Sequence, residues 1–469
     1  MSVEQEDPMD NPLQPPDSVG GTDAPLRLLI VAYHFPPADS VGARRPAALA
    51  RYAAERQWDV RVLTTGTPDL ENPVPDVPER HIVRVAPVPR LPRLRRSPAA
   101  AADGADATAS RPATAARARA ADLRLAVNRW VWKAGSELLV PDSQVNWIWP
   151  AVRRFLDTRD GWRPDVILAT GPPFSVFAVA ARLARRLDVP WVADYRDLWS
   201  VGNEYWVRTR VRRSVDRRLE RRLLRSAAAS VTVSEPLAEA MRRTLGVHTR
   251  VVMNGIDRRP PATSAEPVAG PQARADHAAA TLTLAHTGYV YPGRRDPGPL
   301  LEAVASLGED AARVHVVFAG EDNGIVRRAV ERTGVADSVT LLGQVSAEKS
   351  WRIQAEADVL VLLMWNDPRD AGTVTGKIFD YLFARRPILL LGYESGVAAN
   401  LIRARGAGVV RNDKQAIAEQ LRAWLAMKER SGRIPALPAS ALDGLFRDDQ
   451  LARYLVLLRE VAGRVAPTR

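Results

Sequence analysis

Runs of apolar residues alternate with helical periodicity along most of this chain. The first run, Leu26-Arg-Leu-Leu-Ile-Val-Ala32, is nearly continuous and is typical of a strand buried on both faces of a parallel sheet. A helix over 43–57 and a strand over 59–64 come next, which gives the strand, helix, strand unit of a doubly wound sheet. Further strands are predicted at 165–170, 191–194, 230–234, 249–253, 281–286, 314–319, 339–342, 358–364, 387–391 and 408–410.

The chain divides where this alternation stops. Residues 258–280 contain Pro, Ala and Gly without a period, which predicts a linker between two parallel-sheet domains. Residues 1–23 are rich in Pro, Asp and Gly and are expected to be a disordered tail. The predicted organisation is a tail at 1–23, an N-terminal Rossmann-like domain at 24–257 with a basic insert at 84–149, the linker, a C-terminal Rossmann-like domain at 281–446, and a terminal helix at 447–469 that packs back on the first domain.

Length and composition agree with this organisation. A chain of 469 residues exceeds one ordinary core, and 46% hydrophobic with 26% charged residues is a globular composition. The absence of cysteine excludes disulfides, thiolate metal sites and cysteine nucleophiles. The acidic start of the chain has no apolar core of a signal peptide, and no run of 18 apolar residues occurs. We therefore expect a cytoplasmic protein without a spanning helix.

A net charge of +12 favours a polyanionic partner, although biased base composition also enriches arginine. No nucleic-acid-binding motif is found, so nucleic acid is not expected as a partner. The predicted helix at 116–139 combines basic residues with Trp130 and Trp132, which suits an anionic membrane surface. Core packing with solvated arginines explains the same pattern. Peripheral attachment to the inner face of the plasma membrane therefore stays open.

The strongest candidate chemistry lies between 371 and 391. Glycine and threonine at 372–376 precede a helix predicted at 377–384, and the amide groups at such a helix start favour an anion. Lys377 opens the helix and Asp380 lies one turn later on the same face, so both can approach one ligand. The chain has only five lysines among 66 basic residues, so a lysine here stands against the composition. The pattern suits a nucleotide diphosphate.

Other candidates follow predicted strands, where the sheets of α/β proteins bind ligands. Gly288 and the pair Arg294-Arg295 follow the strand at 281–286 and predict a second anion site. In the first domain, His34 through Gly42 follow the first strand. Asp194, Arg196 and Asp197 follow the strand that begins at Trp191; the acids could orient a sugar, take a proton, or simply pair with Arg196.

Six motifs occur in a characteristic order: Pro36-Pro37 through Gly42 with Arg44-Arg45, Asp194-Tyr-Arg-Asp197-Leu-Trp199, Thr232-Val-Ser234-Glu, Asn254-Gly-Ile-Asp257, Gly288 through Arg295-Asp296, and Gly376-Lys-Ile-Phe-Asp-Tyr-Leu382 with Arg386-Pro387. From about 26 to 465 the chain resembles the glycosyltransferase family 4 type of the GT-B fold. The resemblance is to members that act in polysaccharide and cell-envelope glycoconjugate assembly.

The resemblance implies transfer of a sugar from a nucleotide-diphosphate sugar, with retention of configuration and without metal or cofactor, to a glycan or lipid-linked acceptor. It implies that Lys377 with Arg294 or Arg295 neutralises the departing diphosphate and that Asp380 holds the ribose. The residues expected to act in catalysis are Arg295, Lys377 and Asp197. Donor binding is expected from Gly288, Arg294, Gly372, Thr373, Thr375, Gly376 and Asp380. The acceptor side is expected to include His34, Gly42, Asp194 and Arg196.

One departure from the family pattern affects the sugar. Relatives commonly carry an acid eight positions before the position of Asp380, where this chain has Gly372. Amide groups of 372–375 or the carboxylate of Asp370 are the candidate replacements. Three alternative functions remain: glycosylation of a soluble small molecule, nucleotide-sugar 2-epimerisation, and a non-catalytic homologue that serves as an interaction module.

Overall fold

Two parallel sheets form the framework of the protein. A computed structural model describes residues 25–38, 40–66, 77–88, 139–202, 209–257, 281–322 and 324–463. The predicted tail 1–23, the linker 258–280, residues 116–138 of the predicted helix and most of the basic insert lie outside these ranges. All strand pairs are parallel, which confirms the predicted fold class.

The first sheet has seven strands in the order β3-β2-β1-β4-β5-β6-β7. They are β1 (Arg27–Ala32), β2 (Asp59–Thr64), β3 (Ile82–Arg84), β4 (Val166–Gly171), β5 (Trp191–Tyr195), β6 (Ala229–Thr232) and β7 (Thr249–Val251). The strand order reverses direction between β1 and β4, and such a switch point opens a crevice at the carboxyl ends of the strands.

The second sheet repeats this plan with six strands in the order β10-β9-β8-β11-β12-β13. They are β8 (Leu282–Thr287), β9 (Val314–Ala319), β10 (Val339–Gly343), β11 (Val359–Leu363), β12 (Ile388–Leu391) and β13 (Gly408–Val410). Its switch point lies between β8 and β11. The segment after β8 begins with Gly288, so the fold places this candidate at a crevice.

Helices cover both faces of each sheet. They are α1 (Val41–Ala54), α2 (Ile148–Thr158), α3 (Ser175–Leu187), α4 (Arg210–Leu224), α5 (Glu235–Leu245), α6 (Gly298–Ala305), α7 (Ile325–Thr333), α8 (Ala347–Glu356), α9 (Gly376–Phe383), α10 (Val397–Ala404), α11 (Lys414–Ser431) and α12 (Arg447–Gly463). None of the helices within the described ranges is long and apolar enough to cross a membrane.

The terminal helix α12 belongs to the core of the first sheet. Its apolar face, which includes Leu451, Leu455 and Leu458, lies in one buried cluster with Leu28 and Ile30 of β1. Helix α1 contributes to the same cluster, whereas α2 and α3 cover the opposite face of the sheet. The last helix of the chain therefore completes a core that the first strand begins.

Two segments that connect the sheets are hydrogen-bonded to each other. The Ile256 amide donates to the Leu445 carbonyl at 2.7 Å, and the Arg447 amide donates to the Ile256 carbonyl at 2.8 Å. Gly255 has a φ of +77°, and a Cβ atom there would lie 2.7 Å from the Arg447 Cα. The Arg447 guanidinium also pairs with Asp257 at 2.9 Å. The segment around Ile256 and the segment around Arg447 therefore lie side by side between the two sheets.

Most element bounds agree with the sequence to within a few residues, but β3 was not predicted. This strand is three residues long and lies at the edge of the sheet, where Ile82 pairs with Val62 of β2. A segment this short shows no periodicity, so its pairing alone defines it.

Candidate functional site

The two anion-site candidates of the second domain lie against each other. Gly288 follows β8 with a φ of +113°, and a Cβ atom on it would overlap the Cε and Nζ atoms of Lys377. Glycine is needed here both for the backbone conformation and for this close approach. The fold therefore brings the segment after β8 onto the first turn of α9, although 88 residues of sequence separate them.

The Lys377 amine is buried and has no hydrogen-bond partner among the described residues. The pKa of Lys377 is lowered to about 7, mainly by burial and also by the charge of Arg295, while Asp380 acts in the opposite direction. A desolvated amine without a partner gains free energy when an anion approaches, because the anion favours its charged form. This side chain is suited to receive a phosphate group.

Arg295 supplies a second cation to the same place. Its Nη1 atom donates to the Tyr289 carbonyl at 2.8 Å, and its guanidinium lies over the Tyr291 ring at 4.4 Å. Burial lowers its pKa, while Tyr291 and Asp370 act in the opposite direction. The neighbouring Arg294 instead lies over the Trp365 ring at 4.9 Å. Of the two arginines, Arg295 is the one whose charge lowers the pKa of Lys377.

Two acids flank these cations. Asp380 lies one turn after Lys377 in α9, and its charge also favours the charged form of Arg447. The Asp370 carboxylate accepts a hydrogen bond from the Thr373 hydroxyl at 2.7 Å. Burial raises the pKa of Asp370, and Arg295 is among the groups that oppose this rise. Asp370 therefore lies within the electrostatic reach of the cation cluster.

A buried histidine lies next to this cluster. The sequence had not indicated it as a site residue. His286 near the end of β8 is fully buried, and its Nδ1 atom lies 2.9 Å from the Val361 carbonyl. Burial lowers the pKa of His286 to about 3, and Lys377 contributes in the same direction. The imidazole is therefore neutral, and its Nε2 atom has no partner among the described residues. A single histidine in an apolar strand was the available signal.

A cavity of about 310 Å³ adjoins the cluster and shares His286 and Gly288 with it. It lies at the carboxyl ends of three neighbouring strands, and its other lining residues include Val290, Phe318, Gly320 and Asp322. The cavity, whose lining also includes Arg327, is therefore continuous with the polar cluster. Together they offer a region of mixed polar and apolar character next to two cations.

The segment before α9 is open at the helix start and buried at Gly372. Thr375 precedes the helix and its side chain makes no capping hydrogen bond, while a Cβ atom on Gly376 would meet nothing within 4 Å. The amide groups at this helix start are therefore accessible to a ligand. Gly372 is different, because it is buried and a Cβ atom there would lie 2.5 Å from Leu237 Cδ2 of the first domain.

On the first domain, three of the predicted residues come together. The Arg196 guanidinium donates to the Gly42 and Pro172 carbonyls. A Cβ atom on Gly42 would lie 3.1 Å from the same guanidinium. His34 lies close enough that Arg196, after burial, lowers its pKa. Arg196 thus connects the segments after β1 and β4, and its hydrogen bonds give it a structural role at this rim.

The two acids of this region have different surroundings. The Asp194 carboxylate is 1% exposed and accepts two hydrogen bonds of 3.1 Å from Arg45, rather than from Arg196. Arg45 also donates to the carbonyls of Val252 and Met253. Asp194 is therefore enclosed in a buried ion pair. Asp197 is exposed just beyond β5 and lies within the electrostatic reach of Arg196.

Residues 42–255 match the family model of the glycosyl transferase 4-like domain. Over these residues the first domain is similar to a glycosyl transferase 4-like domain. No curated protein matches the chain. This domain and the fold together support a glycosyltransferase, in agreement with the predicted enzyme class.

Solved glycosyltransferase structures share the arrangement of both sheets. Sucrose-phosphate synthase from Thermosynechococcus elongatus is 15% identical, with 94% of this chain and 100% of that chain covered at a TM-score of 0.59. Anabaena HepE in complex with UDP and glucose is 14% identical, with 93% and 100% covered at a TM-score of 0.56. The lipopolysaccharide outer core galactosyltransferase WaaB is 9% identical, with 92% and 100% covered at a TM-score of 0.52.

For a glycosyltransferase of this fold, the second-domain cluster offers the groups that an anionic leaving group needs. Two cations and the helix start converge where water is largely excluded, so each contact is stronger than it would be in bulk solvent. Within the described ranges, no three His, Asp or Glu side chains gather where they could hold a metal ion.

Proposed function

We propose that this glycosyltransferase moves a sugar from a nucleoside-diphosphate sugar to a hydroxyl group of a glycan or lipid-linked acceptor, with retention of configuration. The observation that carries the donor assignment is the unpartnered amine of Lys377 against Gly288, with Arg295 beside it. HepE binds UDP according to its structures, which supports a nucleoside diphosphate as the ligand here. The nucleoside is then expected in the adjoining cavity and the diphosphate against the cation cluster.

In the proposed reaction the bond between the sugar C1 and the β-phosphate oxygen breaks, and the nucleoside diphosphate leaves with the electron pair. The acceptor oxygen forms the new bond to C1, and its proton passes to the departing diphosphate. Lys377 and Arg295 stabilise the charge that develops on the leaving group. Asp380 is proposed to accept from the ribose hydroxyls. The participation of Asp197, and the absence of a metal or cofactor, remain predictions.

Binding of nucleoside diphosphates tests this proposal directly. Titration calorimetry with UDP, GDP and ADP is expected to show binding of at least one of them to the wild-type protein. Lys377→Met should lower its affinity strongly and reduce transfer or donor hydrolysis by about 100-fold, because removal of one preorganised charge contact has effects of this size. If none of the three nucleotides binds the folded protein, the donor site is assigned wrongly.

We further propose that the acceptor lies at a membrane surface to which the protein binds. Val211 at the start of α4 is 75% exposed and Trp149 at the start of α2 is 61% exposed. Arg210, Arg218 and Arg222 are exposed on α4. Helices α2 and α4 pack on the same core cluster of the first sheet, and exposed apolar and basic side chains on them suit an anionic lipid surface in the cytoplasmic leaflet of the membrane.

Flotation with phosphatidylglycerol vesicles at low salt tests this part. The wild-type protein should float, and the double variant Val211→Ser, Trp149→Ser should float less. Val456→Ser is a matched control, because Val456 is 43% exposed on α12 and lies outside this surface. Equal flotation of all three proteins, or none at low salt, contradicts membrane attachment through this surface and leaves nucleotide binding unaffected.

A further inference from the structure

The start of α5 in the first domain uses a serine in an unusual way. Ser234 has the extended backbone of an N-cap residue, yet its side chain makes no hydrogen bond to the amides of α5. A serine in this place normally accepts a hydrogen bond from the helix, with a typical stabilisation of about 1 kcal/mol. The Ser234 hydroxyl instead donates to the Gly372 carbonyl of the second domain at 2.6 Å, and the residue is 2% exposed.

Leu237 in the first turn of α5 packs against Gly372. A Cβ atom on Gly372 would lie 2.5 Å from Leu237 Cδ2 and 2.9 Å from Leu237 Cγ. Distances under about 3 Å do not occur for real Cβ atoms, so a side chain at 372 requires Leu237 or the segment around residue 372 to move. As Leu237 is placed here, it occupies the space that a side chain at 372 would take.

The residues on both sides of Gly372 connect it to the donor cluster through hydrogen bonds. The Thr373 amide donates to the Asp370 carbonyl at 3.0 Å, and the Thr373 hydroxyl donates to the Asp370 carboxylate. The Ala371 carbonyl accepts from Val397 at 2.8 Å, which fixes the other side of this turn. Lys377 follows in the first turn of α9. Displacement of the Gly372 carbonyl would therefore move both Asp370 and the helix start.

We propose that Ser234 is a positioning residue of the donor site: its hydrogen bond to Gly372, together with the packing of Leu237 on Gly372, holds the segment from Asp370 to Gly376 in the arrangement that binds the donor. This inference rests on the proposed function of the cluster. It makes the donor site of the second domain dependent on a helix start of the first domain.

Nucleotide binding in four variants tests the proposal, with UDP, GDP and ADP as probes. Ser234→Ala should weaken binding of the best probe about fivefold, the size expected for loss of one hydrogen bond. Gly372→Ala should weaken it further, because its Cβ meets Leu237. The double variant Gly372→Ala, Leu237→Ala removes the obstructing atoms and should regain most of the affinity. Gly463→Ala is the control glycine, since nothing lies within 4 Å of its Cβ.

The outcomes separate this inference from the proposed function. Binding by the wild-type protein with an unchanged dissociation constant in Ser234→Ala overturns the positioning role, whatever happens to the melting temperature. Lack of rescue in the folded double variant overturns the role of Leu237. If the wild-type protein binds none of the probes, the donor site itself fails.

Discussion

The buried amine of Lys377 should lower the stability of the protein when no nucleotide is bound. Its pKa is lowered from 10.5 to about 7, and at 1.36 kcal/mol for each pKa unit the protonated form loses about 5 kcal/mol on folding. Lys377→Met keeps the length and the helix preference of the side chain but removes the charge. We therefore expect this variant to raise the free energy of unfolding, by at most about 4 kcal/mol at pH 7.

The sign of the pH dependence follows from the direction of the pKa change. Between pH 7 and 10.5 the unfolded protein binds the Lys377 proton and the folded protein has released it, so stability due to this group rises with pH. The advantage of Lys377→Met should therefore be largest below pH 7. It should decrease from about 4 to 5 kcal/mol at pH 6.5 to about 1 kcal/mol at pH 9.5.

Urea denaturation of the nucleotide-free protein at pH 6.5 and 9.5 measures this difference. Lys414→Met is the matched control, because Lys414 is exposed at the first position of α11. The control should have the same stability as the wild-type protein at both pH values to within about 0.5 kcal/mol. A stability difference between Lys377→Met and wild type that does not change with pH would refute a desolvated amine at this site.

Three further predictions follow from the same contacts. Nucleoside-diphosphate affinity of the wild-type protein should fall by up to tenfold per pH unit above about pH 7, where Lys377 loses its proton. Calorimetry at several pH values measures this, and an affinity that does not change with pH would contradict it. Gly288→Ala should abolish nucleotide binding, because the new Cβ overlaps Lys377 and the φ of +113° disfavours alanine; normal affinity would disprove the close approach. Arg45→Met should destabilise the protein by about 3 to 5 kcal/mol in urea, because it leaves the Asp194 carboxylate buried without its cation. Arg51→Met, at an exposed ion pair with 50% side-chain exposure, should change stability by less than about 1 kcal/mol.

The sheets could be predicted because each central strand is an apolar run that the sequence displays locally. Leu28 to Val31 are fully buried, as expected for a strand covered on both faces. The edge strand β3 could not be predicted, because three residues have no period and its existence depends on pairing with β2. Helix ends were less accurate, since they depend on contacts and caps beyond the apolar pattern.

Candidate residues of the donor cluster could be found from sequence because glycine, lysine and arginine follow strands or open a helix. Their mutual contacts could not, because Gly288 and Lys377 meet only through the order of β8 and β11 in the sheet. The partner of Asp194 was also beyond prediction, since Arg45 lies 149 positions away in sequence. Likewise, the packing of Leu237 on Gly372 depends on the placement of two domains.

The position of α12 has a consequence for synthesis of the protein on the ribosome. Leu451, Leu455 and Leu458 complete the same core as Leu28 and Ile30, so a nascent chain that ends before α12 leaves an apolar face of its first sheet uncovered. Such a face favours aggregation and binding of chaperones. The N-terminal domain is translated first, but its core can close only after α12 has been translated. Stalling or truncation near residue 446 should harm the beginning of the chain more than the part just completed.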